Sequence, residues 1–243
     1  MGFVAAVYGL ICYTVFLTSF LYSIGFTGDL VVPKTIDSAP SVDLPGALAI
    51  DLVLLGIFAV QHSVMARQGF KAVWARIVPR SVERSTYVLI SSLLLGLICW
   101  KWQAIPTVVW DVSSPVFRSL LLAMFAVGWL GVLLSSFIIN HFDLFGLRQV
   151  YLRLRGLEYT PLSFRERAFY RFVRHPLYLG FVIAFWATPH MSLGHLVFAI
   201  ATTGYIFVGI FFEERDLMKH HAIEYGAYRA RVPMLLPTGV KRG

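Results

Sequence analysis

The stretch VFRSLLLAMFAVGWLGVLLSSFII, Val116 to Ile139, carries one charged residue, Arg118, and is otherwise almost wholly apolar. A bilayer core takes about 20 apolar residues per helical crossing, so this run has the length of a transmembrane helix. Working outward, three more runs read the same way: Phe3 to Phe26, Gly46 to Ala66 and Ser85 to Trp102. Two further apolar runs, Leu177 to Ala187 and Leu196 to Phe212, flank TPHMSLGH. The first of these is too short for a full crossing at about 1.5 Å rise per residue. It predicts a helical hairpin that partly enters or tilts through the membrane.

Composition agrees. The chain of 243 residues is 58% hydrophobic and 14% charged, with a mean hydropathy of +0.71, far too apolar for an ordinary soluble domain. Segments of alternating polarity, which a membrane β-barrel needs, are missing. The expectation is an all-α integral membrane protein with about five to six transmembrane helices, the last two forming a helical hairpin. It forms one domain over residues 1–243. The N-terminal run is longer than a signal-peptide core and has no basic leader, so it reads as an uncleaved first helix.

Lys and Arg are distributed unevenly. Five fall in Arg67 to Arg84, seven in Arg148 to Arg174 and six after Phe212, leaving Lys34, Lys101 and Arg118 elsewhere. The positive-inside rule puts those three segments and both termini in the cytoplasm. Topology and attraction to anionic membrane lipid then account for the formal net charge of +8, with no nucleic acid needed. Cys12 and Cys99 both lie in apolar runs and form no disulfide or zinc framework. Outward loops are short and no soluble domain is present, which weighs against a receptor or scaffold and points to no obligate protein partner.

The polar residues gather on one side. QHSVMAR closes the second helix, NHFDLFGLRQ the fourth and FFEERDL the sixth, while RHPLYLG opens the fifth. Under the topology above, Gln61, His62, Asn140, His141, Asp143, His175, Glu213 and Glu214 all lie at the cytoplasmic surface. Each alone could be a boundary residue reaching for water; four helix ends sharing the pattern favour a site. Pro176 suits the first turn of a helix, where a missing N–H costs nothing. The free N–H groups at Leu177 to Leu179, with Arg174, can then hold a carboxylate. Gly180 permits close approach of a ligand or a neighbouring helix.

RHPLYLG, an apolar hairpin, EERDL and EYGAYRARVPMLLP together resemble the C-terminal half of the isoprenylcysteine carboxyl methyltransferase and phospholipid methyltransferase superfamily, over about Arg171 to Pro237. That resemblance implies an S-adenosylmethionine-binding part at 171–237, built from Arg174, His175, Pro176, Tyr178, Gly180, Glu213, Glu214, Tyr225 and Tyr228. The family often has Phe-Gly before the EY pair; His221 and Ala222 stand there in this chain. QHSVMAR and NHFDLFGLRQVYL resemble the nurim-like branch, most closely the bacterial methanethiol S-methyltransferases, which implies a small thiol as acceptor.

The residue types fit a methyl donor. Glu213 and Glu214 suit an amine or ribose hydroxyls, Arg174 a carboxylate, and the Tyr178, Tyr225 and Tyr228 rings a cation or adenine. A glycine-rich dinucleotide loop is absent, which excludes a soluble Rossmann-type enzyme. A thiol must lose its proton to attack a methyl group, and a neutral imidazole can take it. His62 and His141 are the candidate bases, with Asn140, Asp143 or Gln61 beside them; the competing reading of His62 is a hydrogen bond to a neighbouring helix. The seven histidines show no i, i+3 or i, i+4 pair that would put two ligands on one helix face, so no metal is expected. Two other classes stay open: a methyltransferase for a lipid or prenylated-cysteine carboxylate, and a non-catalytic nurim-like membrane protein.

Overall fold

Ten α-helices and two short strands, with one 3-10 turn at Ala168–Arg171, organise the computed structural model, which describes residues 2–38, 42–162 and 166–238. In chain order they are α1 (Gly2–Gly28), α2 (Leu44–Ala66), α3 (Gln68–Trp74), α4 (Arg80–Lys101), β1 (Val108–Asp111), α5 (Pro115–Ile139), α6 (His141–Leu144), α7 (Leu147–Leu154), α8 (Pro176–Trp186), β2 (His190–Ser192), α9 (Leu193–His220) and α10 (Ala222–Arg231). Five helices, α1, α2, α4, α5 and α9, are long and apolar enough to cross a membrane. At most 33% of the residues in any of their apolar windows are buried in protein. Many of the remaining apolar side chains, Val116, Phe117, Leu120 and Leu130 among them, are exposed and need lipid around them. The chain is an all-α integral membrane protein.

The helix ends carry local signals. Asp43 stands in extended conformation before α2, whose first turn includes a proline, and Pro79 precedes α4. The proline of RHP starts α8, with His175 as the residue before it, outside helical conformation at φ of −126° and ψ of 62°. Helix α9 runs eight residues past the apolar run expected to end at Phe212. Hydropathy marks where a helix leaves lipid; the backbone continues because EERDLMKH contains no glycine or proline to stop it.

The chain divides into two compact units. The first comprises Met1–Thr107, Asn140–Leu162 and Ser192–His195. Here α1 packs on α4 and α7, and α2 packs on α4. Small residues bring α4 close to its neighbours: Ser85, Ser91 and Ser92 are buried along it. Gly146, between α6 and α7, has φ of +87°, and a Cβ there would sit 2.6 Å from the Ser85 Oγ. Only glycine meets both demands.

The second unit comprises Val108–Ile139, Ser163–Met191 and Leu196–Gly243. Helices α5 and α8 touch backbone to backbone, because a Cβ on Gly128 would lie 2.6 Å from the Ala184 nitrogen and one on Gly180 would lie 2.7 Å from the Gly128 carbonyl oxygen. Trp129 then meets Phe181 and Phe185 edge-on. On its other side α8 runs antiparallel to α9. Tyr178 near its start bonds Glu213, while Trp186 at its end bonds Thr203 at 2.9 Å. This is the expected hairpin, and its first arm has only 11 residues.

Candidate functional site

In the second unit, the RHP segment and the double glutamate come together. Arg174 and His175 N–H groups donate to the carbonyls of Pro233 (2.9 Å) and Met234 (3.2 Å), so the C-terminal segment is laid along the chain just before α8. From α9, Glu214 enters this junction with only 7% of its surface exposed. Its Oε1 accepts from Arg174 Nε at 2.8 Å and His175 Nε2 at 3.1 Å. Its Oε2 lies 3.4 Å from Arg229 Nε. One carboxylate thus gathers three basic side chains from the α8 start and α10, a geometry that charge-assisted hydrogen bonds favour strongly.

Arg174 does more bracing than the sequence suggests. Its Nη1 also donates to the carbonyls of Arg229 (3.2 Å) and Val232 (2.6 Å), two of the carbonyls left over at the end of α10. Tyr178 donates to Glu213 at 3.0 Å. Gly180 is taken up by the close approach to α5. Tyr225 and Tyr228 are 1% and 2% exposed and pack with Val232, Leu217 and Met218, so both rings belong to the small C-terminal core. Burial pushes the Tyr225 phenol well above its ordinary pKa, and the Glu214 carboxylate adds to the effect. Tyr228 shifts the same way, chiefly by burial, and donates to the Tyr170 carbonyl at 2.7 Å.

Beside Glu214 opens a cavity of about 420 Å³, lined by Phe211, Glu214, Arg215, Met218, Lys219 and Arg229. That volume lies within the range of small-molecule sites. Its wall offers one acid, three bases and two apolar side chains, which suits a ligand carrying both charges and a flat or apolar part. Sequence reading reached only Glu214 among these. Phe211, Glu214, Arg215 and Met218 stand at i, i+3, i+4 and i+7, one helical face; the signal was legible once α9 is carried past the membrane boundary.

The first unit holds the two candidate bases, each with its own partners. His62 on α2 bonds the Ser91 Oγ at 3.2 Å through Nδ1 and the Tyr87 hydroxyl at 2.8 Å through Nε2, and its ring stacks on Phe58. Gln61 accepts from the same Ser91 hydroxyl at 3.3 Å. The pair fastens α2 to α4, the bond between helices weighed for His62 from sequence. His141 is buried at 4% exposure. It bonds the Tyr13 hydroxyl at 2.8 Å through Nε2 and meets Phe145 edge-on. Burial lowers its pKa, which favours the neutral imidazole.

Asn140 holds φ of 147° and ψ of 91°, and its side chain accepts from the Asp143 N–H at 3.1 Å, capping α6. A positive φ at a residue other than glycine stores strain, and such strain concentrates at functional sites. Asp143 turns to Arg148 at 2.9 Å and to the Tyr159 hydroxyl at 3.3 Å. The orienting partners seen at the histidines are Tyr13, Tyr87 and Ser91, none of which the motifs mark.

Known proteins resemble the chain closely. A methanethiol S-methyltransferase of Mycobacterium tuberculosis is 56% identical over 235 residues, covering 97% of this chain and 96% of that protein. A methanethiol S-methyltransferase of Crocosphaera subtropica is 53% identical, over 95% of this chain and 90% of its own length. Rat nurim is 32% identical over 70% of this chain and 68% of its own. No protein-family model matches the chain, and no solved structure is significantly similar to it.

Proposed function

The chain belongs to the methanethiol S-methyltransferase family, and from that premise we propose that it methylates methanethiol to dimethyl sulfide with S-adenosylmethionine as the donor. The single observation that carries the donor assignment is the Glu214 knot beside a cavity of mixed charge. The groups present fit an S-adenosylmethionine: Glu214 for its ammonium, Arg229 and Lys219 for its carboxylate, Phe211 and Met218 for apolar parts of the nucleoside. Arg174 and His175 keep the Glu214 carboxylate fixed. When bound, the sulfonium supplies an activated methyl group.

The thiol sulfur would take that methyl group while the donor's sulfur leaves as a neutral thioether, and the thiol proton would pass to a base of this chain. His141, which burial keeps in its proton-accepting form, and His62 are the two candidates. A thiol this small offers few contacts, so rate must come from positioning and deprotonation. The charge distribution supports a cytoplasmic face for the chemistry in a bacterial inner membrane, with anionic lipid around the basic segments.

The test is headspace detection of dimethyl sulfide from membranes containing the chain, supplied with methanethiol and S-adenosylmethionine. Product should form and should disappear in Glu214→Ala. Methylation of a prenylated cysteine or phosphatidylethanolamine with no sulfide formed would overturn the assignment.

A further inference from the structure

Between α2 and α4, within the first unit, runs a chain of hydrogen bonds that has a direction. Gln61 Nε2 donates to the Met65 sulfur at 3.0 Å, which leaves Gln61 Oε1 to face Ser91 as an acceptor. The Ser91 hydroxyl has a single proton to give. It gives that proton to Gln61 Oε1 at 3.3 Å, so toward His62 Nδ1, 3.2 Å away, its oxygen can only accept. His62 therefore carries its proton on Nδ1, and its Nε2 accepts from the Tyr87 hydroxyl at 2.8 Å. The opposite direction is poorer. With Ser91 donating to Nδ1, the Tyr87 hydroxyl would turn to the His62 carbonyl at 3.4 Å, and Gln61 Oε1 would lose its one partner among the described residues.

The direction matters for a base. A neutral imidazole takes a proton only at its bare nitrogen, and in His62 that nitrogen already holds the Tyr87 hydroxyl. Ser91, itself only 9% exposed, closes the Nδ1 side, and Phe58 stacks on the ring with centroids 5.3 Å apart. Tyr87 is only partly buried. The Arg84 guanidinium stands 5.1 Å from the centre of its ring. A phenol oxygen can accept a hydrogen bond while it donates one, and a neighbouring cation favours negative charge developing there.

We propose that Tyr87 receives the thiol proton while passing its own to His62 Nε2, and that Ser91 and Gln61 are positioning residues that hold the imidazole in the accepting tautomer. The proposal rests on the thiol-methylating reading above and selects His62 from its two candidate bases. The S–H bond breaks as a new O–H bond forms on Tyr87, and the former Tyr87 proton moves to Nε2. The sulfur keeps the electron pair with which it takes the methyl group. The imidazolium keeps its Nδ1 proton on Ser91 and gives the extra proton back to water by the reverse route.

The experiment compares two acceptors of one shape on protein reconstituted in nanodiscs, with dimethyl sulfide and dimethyl selenide read from the headspace. Methaneselenol is ionised at neutral pH and methanethiol is not, so only the thiol needs the relay. Tyr87→Phe should cut kcat/KM for methanethiol about 10²-fold or more, the lower end of general-base catalysis, and raise the selenol-over-thiol ratio by the same order. Ser91→Ala should raise that ratio roughly 2- to 10-fold, the worth of one net hydrogen bond, and Ser91→Thr, which keeps the hydroxyl, should return it to the wild-type value. A variant that is merely loosened slows both acceptors alike and leaves the ratio where it was. If the wild type makes dimethyl sulfide and the ratio is unmoved in Tyr87→Phe and Ser91→Ala, or if His62→Ala keeps the full thiol rate, the inference is overturned. If the wild type makes no dimethyl sulfide, the functional reading fails instead.

Discussion

Glu214→Gln is the sharpest perturbation of the proposed donor site. The substitution keeps the side chain's shape and one carbonyl acceptor but removes the charge that faces Arg174 at 2.8 Å, His175 at 3.1 Å and Arg229 at 3.4 Å. The Arg174 and Glu214 side chains are each only 10% exposed, whereas Arg229 is 53% exposed. Arg229 can therefore hydrate at once, and Arg174 cannot. Breaking a buried pair from one side costs about 3–5 kcal/mol. Arg174 keeps two carbonyl partners, which puts the expected loss near the lower end, about 3 kcal/mol. That corresponds to a fall in thermal midpoint of roughly 6–12 °C for a chain of this length. Loss of one charge-assisted contact should also weaken donor binding roughly tenfold or more. Scanning fluorimetry and calorimetry in detergent measure both. The double variant Arg174→Met with Glu214→Gln removes the stranded cation and should recover part of the midpoint. A Gln variant with unchanged midpoint and unchanged donor affinity would refute the knot as an energetic unit, as would strict additivity in the double variant.

Alanine at the true thiol base should lower the rate of dimethyl sulfide formation about 10²–10⁴-fold with donor affinity intact; comparing His62→Ala and His141→Ala by headspace assay identifies which histidine it is, and full activity in both would exclude each. Because burial lowers the His141 pKa, the folded state resists protonation that the unfolded chain accepts. Its contribution to stability is complete above the ordinary histidine value of about 6.5 and is lost as pH falls below it. The thermal midpoint should therefore drop on going from neutral pH to about pH 5, and less so in His141→Phe. Gly180→Ala forces a Cβ to within 2.7 Å of the Gly128 carbonyl oxygen and should destabilise by about 1–3 kcal/mol; an unchanged midpoint in scanning fluorimetry would contradict the close crossing. Cysteines at Thr35 and Ser114 should react with an impermeant thiol reagent added outside intact cells, and one at Ser81 should not; the reverse pattern would put the basic segments outside.

Hydropathy alone determined the membrane class and the position of the crossing helices, because a run of about 20 apolar residues has no other stable home than lipid. It also marked RHPLYLG and FFEERDL, since charge beside such a run is costly enough to stand out. Pairing was beyond its reach. In lipid, a residue facing the bilayer and one facing another helix are equally apolar, so periodicity carries little information about which faces meet. That Gly180 serves the α5 crossing, that Tyr225 and Tyr228 lie in a core, and that Asp143 turns to Arg148 depend on which elements the fold brings alongside. The Tyr13 and Ser91 partners of the histidines, 128 and 29 residues away in the chain, were invisible for the same reason. Only tertiary structure decided that Glu214 is held by three basic side chains and that Ser91 joins His62 to Gln61, because a hydrogen bond is a fact about two groups in space and a sequence position names only one of them.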